Sequence, residues 1–85
     1  MAAAEDLAKI GSYLHANQPA YASETLQSIY LSARSLRQFA EKGRLGKMDG
    51  TRELVLSPLP YLIVYSLSAE CVQILRIFHG AQERP

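Results

Sequence analysis

The stretch from residue 50 to residue 80 constrains the fold more than any other part of the sequence. It contains three short runs rich in aliphatic, β-branched and aromatic residues, at about 51–57, 61–68 and 71–79. Two prolines separate the first two runs, and a short polar turn separates the second from the third. Connections this short join only antiparallel neighbours, because a parallel pair needs a crossover of about a dozen residues. The sequence therefore predicts a three-stranded antiparallel β-meander.

Two helical patterns precede these strands. Apolar residues at intervals of four, three and four residues predict an amphipathic helix over about 2–16. The same spacing predicts a second helix over about 19–42, which Pro19 opens and Gly43 ends. The short break between the two patterns predicts an antiparallel helical hairpin. Each helix has an apolar face to cover, so the predicted fold class is α+β, an N-terminal antiparallel helical hairpin packed on the meander.

The length of 85 residues predicts a single domain over 1–85. No apolar run approaches the roughly 20 residues of a membrane span, so no membrane partner is expected. The N-terminus turns acidic and polar within a few residues, which is not the pattern of a signal peptide. One cysteine, Cys71, cannot form an internal disulfide, and within an apolar strand it is expected to be an inert packing thiol. These features predict a cytoplasmic protein.

The net charge is only +1, but the basic residues are concentrated between residues 33 and 52. Six cations and two carboxylates lie in that segment, and such a segment could attract an anionic partner such as RNA or an acidic protein. The simpler interpretation, a solvated helix end followed by a loop, is favoured by composition alone. A basic, glycine-containing loop that enters a sheet is nevertheless a reasonable phosphate contact, although it lacks the spacing of a P-loop. The candidate target-binding residues are Arg44, Lys47 and Arg84.

The familiar motifs of enzymes and metal sites are missing from the sequence. No Cys/His cluster, GxGxxG or GxSxG pattern occurs, so neither a metal nor a cofactor is expected. Of the two histidines, His15 near the end of the first helix is expected on the surface. His79 closes the last strand, where its imidazole could reach solvent or a substrate.

Two arginines interrupt apolar strand patterns and are candidates for chemistry. Strict alternation places Arg76 on one face with Val72, Ile74 and Phe78. Arg52 shares a face with Leu54 and Leu56. Metal-free RNA cleavage needs a base, cations near the phosphate and an acid. The residues that could supply parts of this set are Arg52, Arg76 and His79, helped by Tyr61 or Tyr65. Without an obvious carboxylate or a second histidine, the residues favour a binding module over a nuclease.

The order of elements and several short sequence segments resemble those of the ParE/RelE superfamily of toxins from bacterial type II toxin–antitoxin pairs. The first helix, AAAEDLAKIGSYL, and the second helix with its linker, SARSLRQFAEKGRLGKMDGTREL, are similar to the family's. The most specific part is the strand PYLIVYSL followed by VQILRIFHGAQERP. The family usually opens with a β-strand before the first helix, whereas this sequence begins directly with MAAAEDLAK. The expected sheet therefore has an unpaired edge, through which copies of the chain could associate.

The resemblance implies a small cytoplasmic toxin that is neutralised by a cognate antitoxin, whose C-terminal segment wraps the toxin. ParE-like members poison DNA gyrase, whereas RelE-like members cleave mRNA in the ribosome with basic residues and a tyrosine or histidine. The lysine-rich surface of the RelE-like nucleases is largely absent here, and the His79-Gly80 ending looks more like the ParE branch. We therefore expect a ParE-like toxin. The alternatives are a RelE-like mRNA endonuclease and a non-toxic binding or inhibitor protein on the same scaffold.

Overall fold

The computed structural model describes residues 2–80, in which two helices are followed by an antiparallel sheet. Helix α1 spans Ala2–Asn17, and helix α2 spans Ala22–Ser35. The amide hydrogen of Tyr21 is donated to the carbonyl of Gln18, which closes a turn with Pro19 at its second position. Pro19 therefore belongs to the turn of the helical hairpin, and the prediction that it opens the second helix is wrong.

Helix α2 also ends earlier than the predicted residue 42. Beyond Ser35 the amides of Leu36 and Arg37 donate to carbonyls three residues back, which tightens the chain out of the α-helix. The Ser35 hydroxyl donates to the carbonyl of Ser32 at 2.6 Å. This side-chain hydrogen bond competes with the backbone hydrogen bonds that would continue the helix. Leu36 is nevertheless fully buried. The apolar spacing therefore continues into the core after the helical hydrogen bonding has stopped.

The sheet has four strands in the order β1-β2-β3-β4, and all neighbouring strands are antiparallel. Three of them are those of the predicted meander, which is confirmed. The strands are β1 Arg44–Leu45, β2 Thr51–Val55, β3 Tyr61–Leu67 and β4 Val72–His79. The two-residue strand β1 was not predicted, because two residues carry no periodicity.

A bulge in β4 changes which side chains share a face. Val64 pairs with Arg76, whereas the next residue of β3, Tyr65, pairs with Ile74, so Leu75 is the extra residue. Val72 and Ile74 pack against the core beneath the helices, and Arg76 and Phe78 lie on the opposite side with Leu75. The predicted face of Val72, Ile74, Arg76 and Phe78 is therefore wrong, because one inserted residue reverses the alternation.

The core lies between α2 and one face of the sheet. Its largest fully buried side chains are Ile29, Leu36, Ile63 and Tyr65. Leu7 and Ile10 of α1 pack against this cluster from the side. Across residues 2–80, neither helix is long and apolar enough to cross a membrane.

Two minor predictions have opposite outcomes. His15 is exposed near the end of α1, as expected for a surface residue. Cys71 is exposed in the turn just before β4, so its prediction as a buried packing thiol is wrong. The polar turn extends one residue further than its composition suggests, and the thiol lies against the Ser68 hydroxyl at 3.3 Å.

Candidate interaction face of the sheet

The face of the sheet that points away from α2 presents a row of charged and apolar side chains. We call this surface the open face. Strand register places Arg44, Glu53, Val64 and Arg76 in one line across all four strands. Directly opposed side chains on one face of a sheet lie within contact distance, so the row forms a continuous surface. Two of the predicted target-binding residues, Arg44 and Lys47, belong to this side of the molecule.

Arg44 is held on the open face by a carboxylate. Its Nε and Nη2 atoms donate to Oε1 of Glu53 at 3.2 and 3.0 Å. The Glu53 side chain is 7% exposed, while that of Arg44 is 60% exposed. The buried carboxylate therefore orients a guanidinium whose outer part remains open to solvent and to a partner.

Arg76 is held more completely, by Asp6 of α1. Its Nε donates to Asp6 Oδ2 at 2.7 Å and its Nη2 to Oδ1 at 3.0 Å, which is a bidentate pair. The Ile77 amide also donates to Asp6 Oδ2, at 2.9 Å, so one carboxylate joins α1 to the outer side of β4. The hydrogen bond from Arg76 holds the pKa of Asp6 below its ordinary value, against the opposing effect of burial. The Arg76 guanidinium also lies over the Phe78 ring, 4.7 Å from its centroid.

A small apolar pocket lies in the middle of the open face. Its volume is about 120 Å³, and its apolar lining consists of Met48, Val64, Leu75 and Phe78. Its polar lining residues are Lys47, Thr51, Glu53 and Arg76. Glu53 is bound by Arg44 and Arg76 by Asp6, whereas Lys47 is an exposed cation. Met48 projects from the loop between β1 and β2 and is 66% exposed. An apolar pocket with an exposed lysine beside it is suited to an apolar side chain of a partner that also carries negative charge.

The three candidate catalytic residues are not brought together. Arg52 lies on the helix side of β2 and donates to the carbonyls of Glu41 and Gly43 at 3.2 and 2.7 Å. Arg52 pairs with Tyr65 and His79 pairs with Tyr61, four residues away along β3, which separates them by about 13 Å along the strand direction. Strand β3 also lies between their two strands.

Arg76 points to the other face of the sheet, since it lines the pocket of the open face. No single substrate phosphate could reach all three side chains at these positions. The candidate catalytic set stays a prediction, and this arrangement gives it no support.

The two tyrosines considered as helpers are both buried. The Tyr65 hydroxyl accepts from the Gly43 amide at 2.8 Å and donates to the Ala40 carbonyl at 2.8 Å. Tyr61 meets the His79 ring edge-on, with 5.5 Å between centroids, and burial raises the pKa of its hydroxyl above the ordinary value near 10. The Tyr65 hydroxyl is therefore held by the backbone and is not presented to a substrate as an acid.

Sequence reasoning missed the residues that organise the open face. Asp6 lies near the start of α1, and nothing in the sequence indicates its pairing with Arg76. The pairing of Glu53 with a cation could have been predicted from the sequence, because a carboxylate inside an apolar strand is rarely buried without a partner of opposite charge. No group of three metal-ligating side chains occurs in the part of the chain that is described. Arg84 lies outside the described residues.

Known proteins resemble this chain in both sequence and structure. The sequence model of the protein family described as ParE toxin of the type II toxin–antitoxin system, parDE, matches residues 1–84 of this chain. A Sinorhizobium fredii protein named toxin Y4kP is 35% identical over 79 residues, covering 93% of this chain and 81% of the relative. Toxin RelE2 of Caulobacter vibrioides is 36% identical over 77 residues, covering 91% and 85%.

A solved structure agrees with these relatives. The chromosomal ParDE toxin–antitoxin system from P. aeruginosa contains a chain that superposes with a TM-score of 0.84 at 30% identity, covering 92% of this chain and 87% of that one. The helical hairpin on an antiparallel sheet is thus the fold of the ParE/RelE superfamily. Within it, this chain belongs to the ParE toxin family of type II toxin–antitoxin systems.

Proposed function

We propose that this ParE-family toxin inhibits growth in the cytoplasm by docking its open face on a macromolecular target such as DNA gyrase. A cognate antitoxin would neutralise it. The observation that carries the proposal is the apolar pocket lined by Met48, Val64, Leu75 and Phe78, with the exposed Lys47 beside it. Docking needs an apolar anchor site with complementary charge around it, and this surface offers both.

The positions of the catalytic candidates support binding over cleavage. The Arg52 guanidinium donates to two backbone carbonyls, and that of Arg76 is bound by Asp6. Cations that stabilise a transition state must be aimed at the reacting phosphate rather than at the protein's own groups. The proposed roles are therefore target contacts for Arg44 and Lys47, and a structural role for Arg52.

The test is inducible expression in bacteria, with growth, mRNA integrity and the DNA-damage response measured together. We expect growth arrest with DNA-damage induction and intact mRNA. Lys47→Glu should weaken the arrest, because it reverses the charge beside the pocket. Lys42→Glu is the matched control, since Lys42 is an exposed lysine that does not line the pocket.

Each other outcome selects a different function. Arrest with mRNA cleaved inside codons, abolished by His79→Ala, would move the protein to the RelE-like branch and its partners to the ribosome and mRNA. Normal growth with folded protein would leave a non-toxic binding protein on the same scaffold. Purified protein added to a gyrase supercoiling assay identifies the target directly.

A further inference from the structure

Asp6 of α1 is connected to the pocket of the open face through Arg76. Its carboxylate accepts from Nε and Nη2 of Arg76 at 2.7 and 3.0 Å, and from the Ile77 amide at 2.9 Å. A bidentate pair fixes both the position and the plane of a guanidinium, because its two parallel hydrogen bonds allow little rotation. A residue of the first helix therefore sets the orientation of a side chain of the last strand.

Arg76 in turn lies against one of the apolar residues of the pocket. Its Cζ atom is 4.7 Å from the centroid of the Phe78 ring, and both side chains line the pocket. Residues two apart on a strand project from the same face, so the two side chains are direct neighbours. A cation held over an aromatic ring attracts it and restricts its movement. The contacts from Asp6 to Arg76 to Phe78 therefore support the wall of the pocket.

Asp6 itself is not positioned to touch a partner. It is not one of the residues that line the pocket, and its side chain is 11% exposed, whereas that of Arg76 is 43% exposed. Any effect of this carboxylate on an occupant of the pocket must therefore pass through Arg76.

The ion pairs of the open face also decide which charge is left for a partner. Asp6 compensates Arg76, and Glu53 compensates Arg44. Lys47 lines the pocket, is exposed and forms no ion pair within residues 2–80. One uncompensated cation beside an apolar pocket suits one carboxylate next to an apolar side chain, whereas a nucleic-acid backbone is bound through several cations.

The size of the pocket limits the side chain that it can accept. Its volume is about 120 Å³. This is the space of about four water molecules at about 30 Å³ each, which suits one aliphatic side chain such as that of leucine.

We propose that Asp6 is a positioning residue of this pocket. By holding Arg76 over Phe78 it keeps the pocket shaped for one aliphatic side chain of the target, while Lys47 pairs with a carboxylate next to that side chain. The inference rests on the proposed function, in which the open face contacts a macromolecular target. It adds the residue that shapes the site and the chemistry of the segment that enters it.

The test is an NMR titration of toxin labelled with ¹³C at its methionine methyl groups. Met48 is one of two methionines in the sequence and lines the pocket, and Met48→Leu assigns its signal. A blocked Leu-Glu dipeptide should shift this signal. A blocked Leu-Gln dipeptide should bind more weakly because it lacks the carboxylate, and a blocked Ala-Glu dipeptide because it lacks the aliphatic group. Lys47→Gln should remove the preference for Leu-Glu over Leu-Gln, and Lys42→Gln should preserve it.

The positioning role is measured with the uncharged Leu-Gln probe, so that the freed charge of Arg76 cannot offset a loosened wall. Asp6→Asn should raise the Kd of this probe about fivefold, because the pocket is then less well organised before binding. In an Arg76→Gln background the same substitution should have no further effect, since its route to the pocket is gone. Ile29→Val trims the buried core outside the pocket and should leave Kd within about twofold.

Thermal unfolding of each variant confirms that it is folded. An unshifted Met48 signal with the Leu-Glu probe would overturn the inference, as would wild-type affinity in Asp6→Asn. An effect of Asp6→Asn that persists in the Arg76→Gln background would show that it acts on stability alone, which also contradicts a positioning role. A Met48 shift with single-stranded DNA, but not with the dipeptides, would assign the pocket to nucleic acid instead.

The two proposals fail separately. A toxin that has no effect on gyrase but gives the expected pattern with the dipeptides retains the role of Asp6 and loses only its named target. A toxin that inhibits gyrase and binds none of the dipeptides retains the proposed function and loses this inference.

Discussion

At the scale of single residues, Tyr65 connects the sheet to the segment that precedes it. Its fully buried side chain accepts a hydrogen bond from the Gly43 amide and donates one to the Ala40 carbonyl. Arg52 adds donors to the carbonyls of Glu41 and Gly43. These four hydrogen bonds hold the chain just before β1, and they therefore position Arg44 on the open face.

We predict that Tyr65→Phe lowers the free energy of unfolding by about 1–3 kcal/mol, because it leaves the Gly43 amide without its acceptor. Urea denaturation measures this difference. Tyr30→Phe is the control, since the Tyr30 side chain is largely exposed and should change stability by less than about 0.5 kcal/mol. Equal stability of the two variants would contradict the role of the buried hydroxyl.

Gly43 is required for a second reason, which is the close approach of neighbouring atoms. A Cβ atom at this position would lie 2.6 Å from the Tyr65 hydroxyl and 2.8 Å from the Glu53 carbonyl. Gly43→Ala should therefore cost about 1–3 kcal/mol through overpacking. In Gly80→Ala the nearest atom to the new methyl group is the Pro60 carbonyl oxygen at 3.5 Å, so thermal unfolding should show a much smaller loss.

At the scale of elements, Asp6 connects α1 to β4 and makes stability depend on pH. Its folded-state pKa is depressed, chiefly by the hydrogen bond from Arg76. The stabilisation is therefore fully present above the unfolded pKa of about 3.9, and it is lost as pH falls through the lower folded pKa. We predict that wild-type stability declines below about pH 4 more steeply than that of Asp6→Asn. Parallel pH profiles from chemical denaturation would contradict this prediction.

The same carboxylate bears on self-association. β4 is an edge strand of the described sheet, and Asp6 occupies its Ile77 amide. Removing that acceptor should leave the edge more open to another strand. We predict that Asp6→Ala sediments with a larger dimer fraction than wild type at equal concentration. An unchanged distribution would mean that this edge does not associate, whatever occupies the amide.

The sequence predicts most of the helices and strands, and the elements that it does not predict depend on contacts outside the local sequence. The meander was predictable because short connections and apolar runs are local features. The end of α2 was not, since Leu36 keeps the apolar spacing after the helical hydrogen bonds have ended. The bulge at Leu75 depends on pairing with β3, which no single strand encodes. It placed Arg76 on the open face and so changed the candidate site.

The site was less predictable than the fold because its contacts join distant parts of the chain. Arg44 and Lys47 were selected from their basic loop, and both lie on the open face. Asp6 and Arg76 are 70 positions apart, and no periodicity links them. The pocket itself needs Met48 from a loop and Phe78 from β4 to lie together.

At the scale of the whole molecule, the open face is assembled from parts of the chain that are distant in sequence. Arg44 comes from β1, Lys47 and Met48 come from the β1–β2 loop, and Arg76 and Phe78 come from β4. The complete surface therefore exists only when the whole sheet has formed.

The contact between Asp6 and Arg76 also sets an order of events during protein synthesis. The ribosome makes α1 first, but the arginine that binds its carboxylate follows 70 residues later. At about 5–20 residues per second, the helix waits about 4–14 s for its partner. During that interval the apolar stripe of α1 has no sheet to cover. A newly made toxin therefore passes through a period in which it is not yet the folded molecule that a target could recognise.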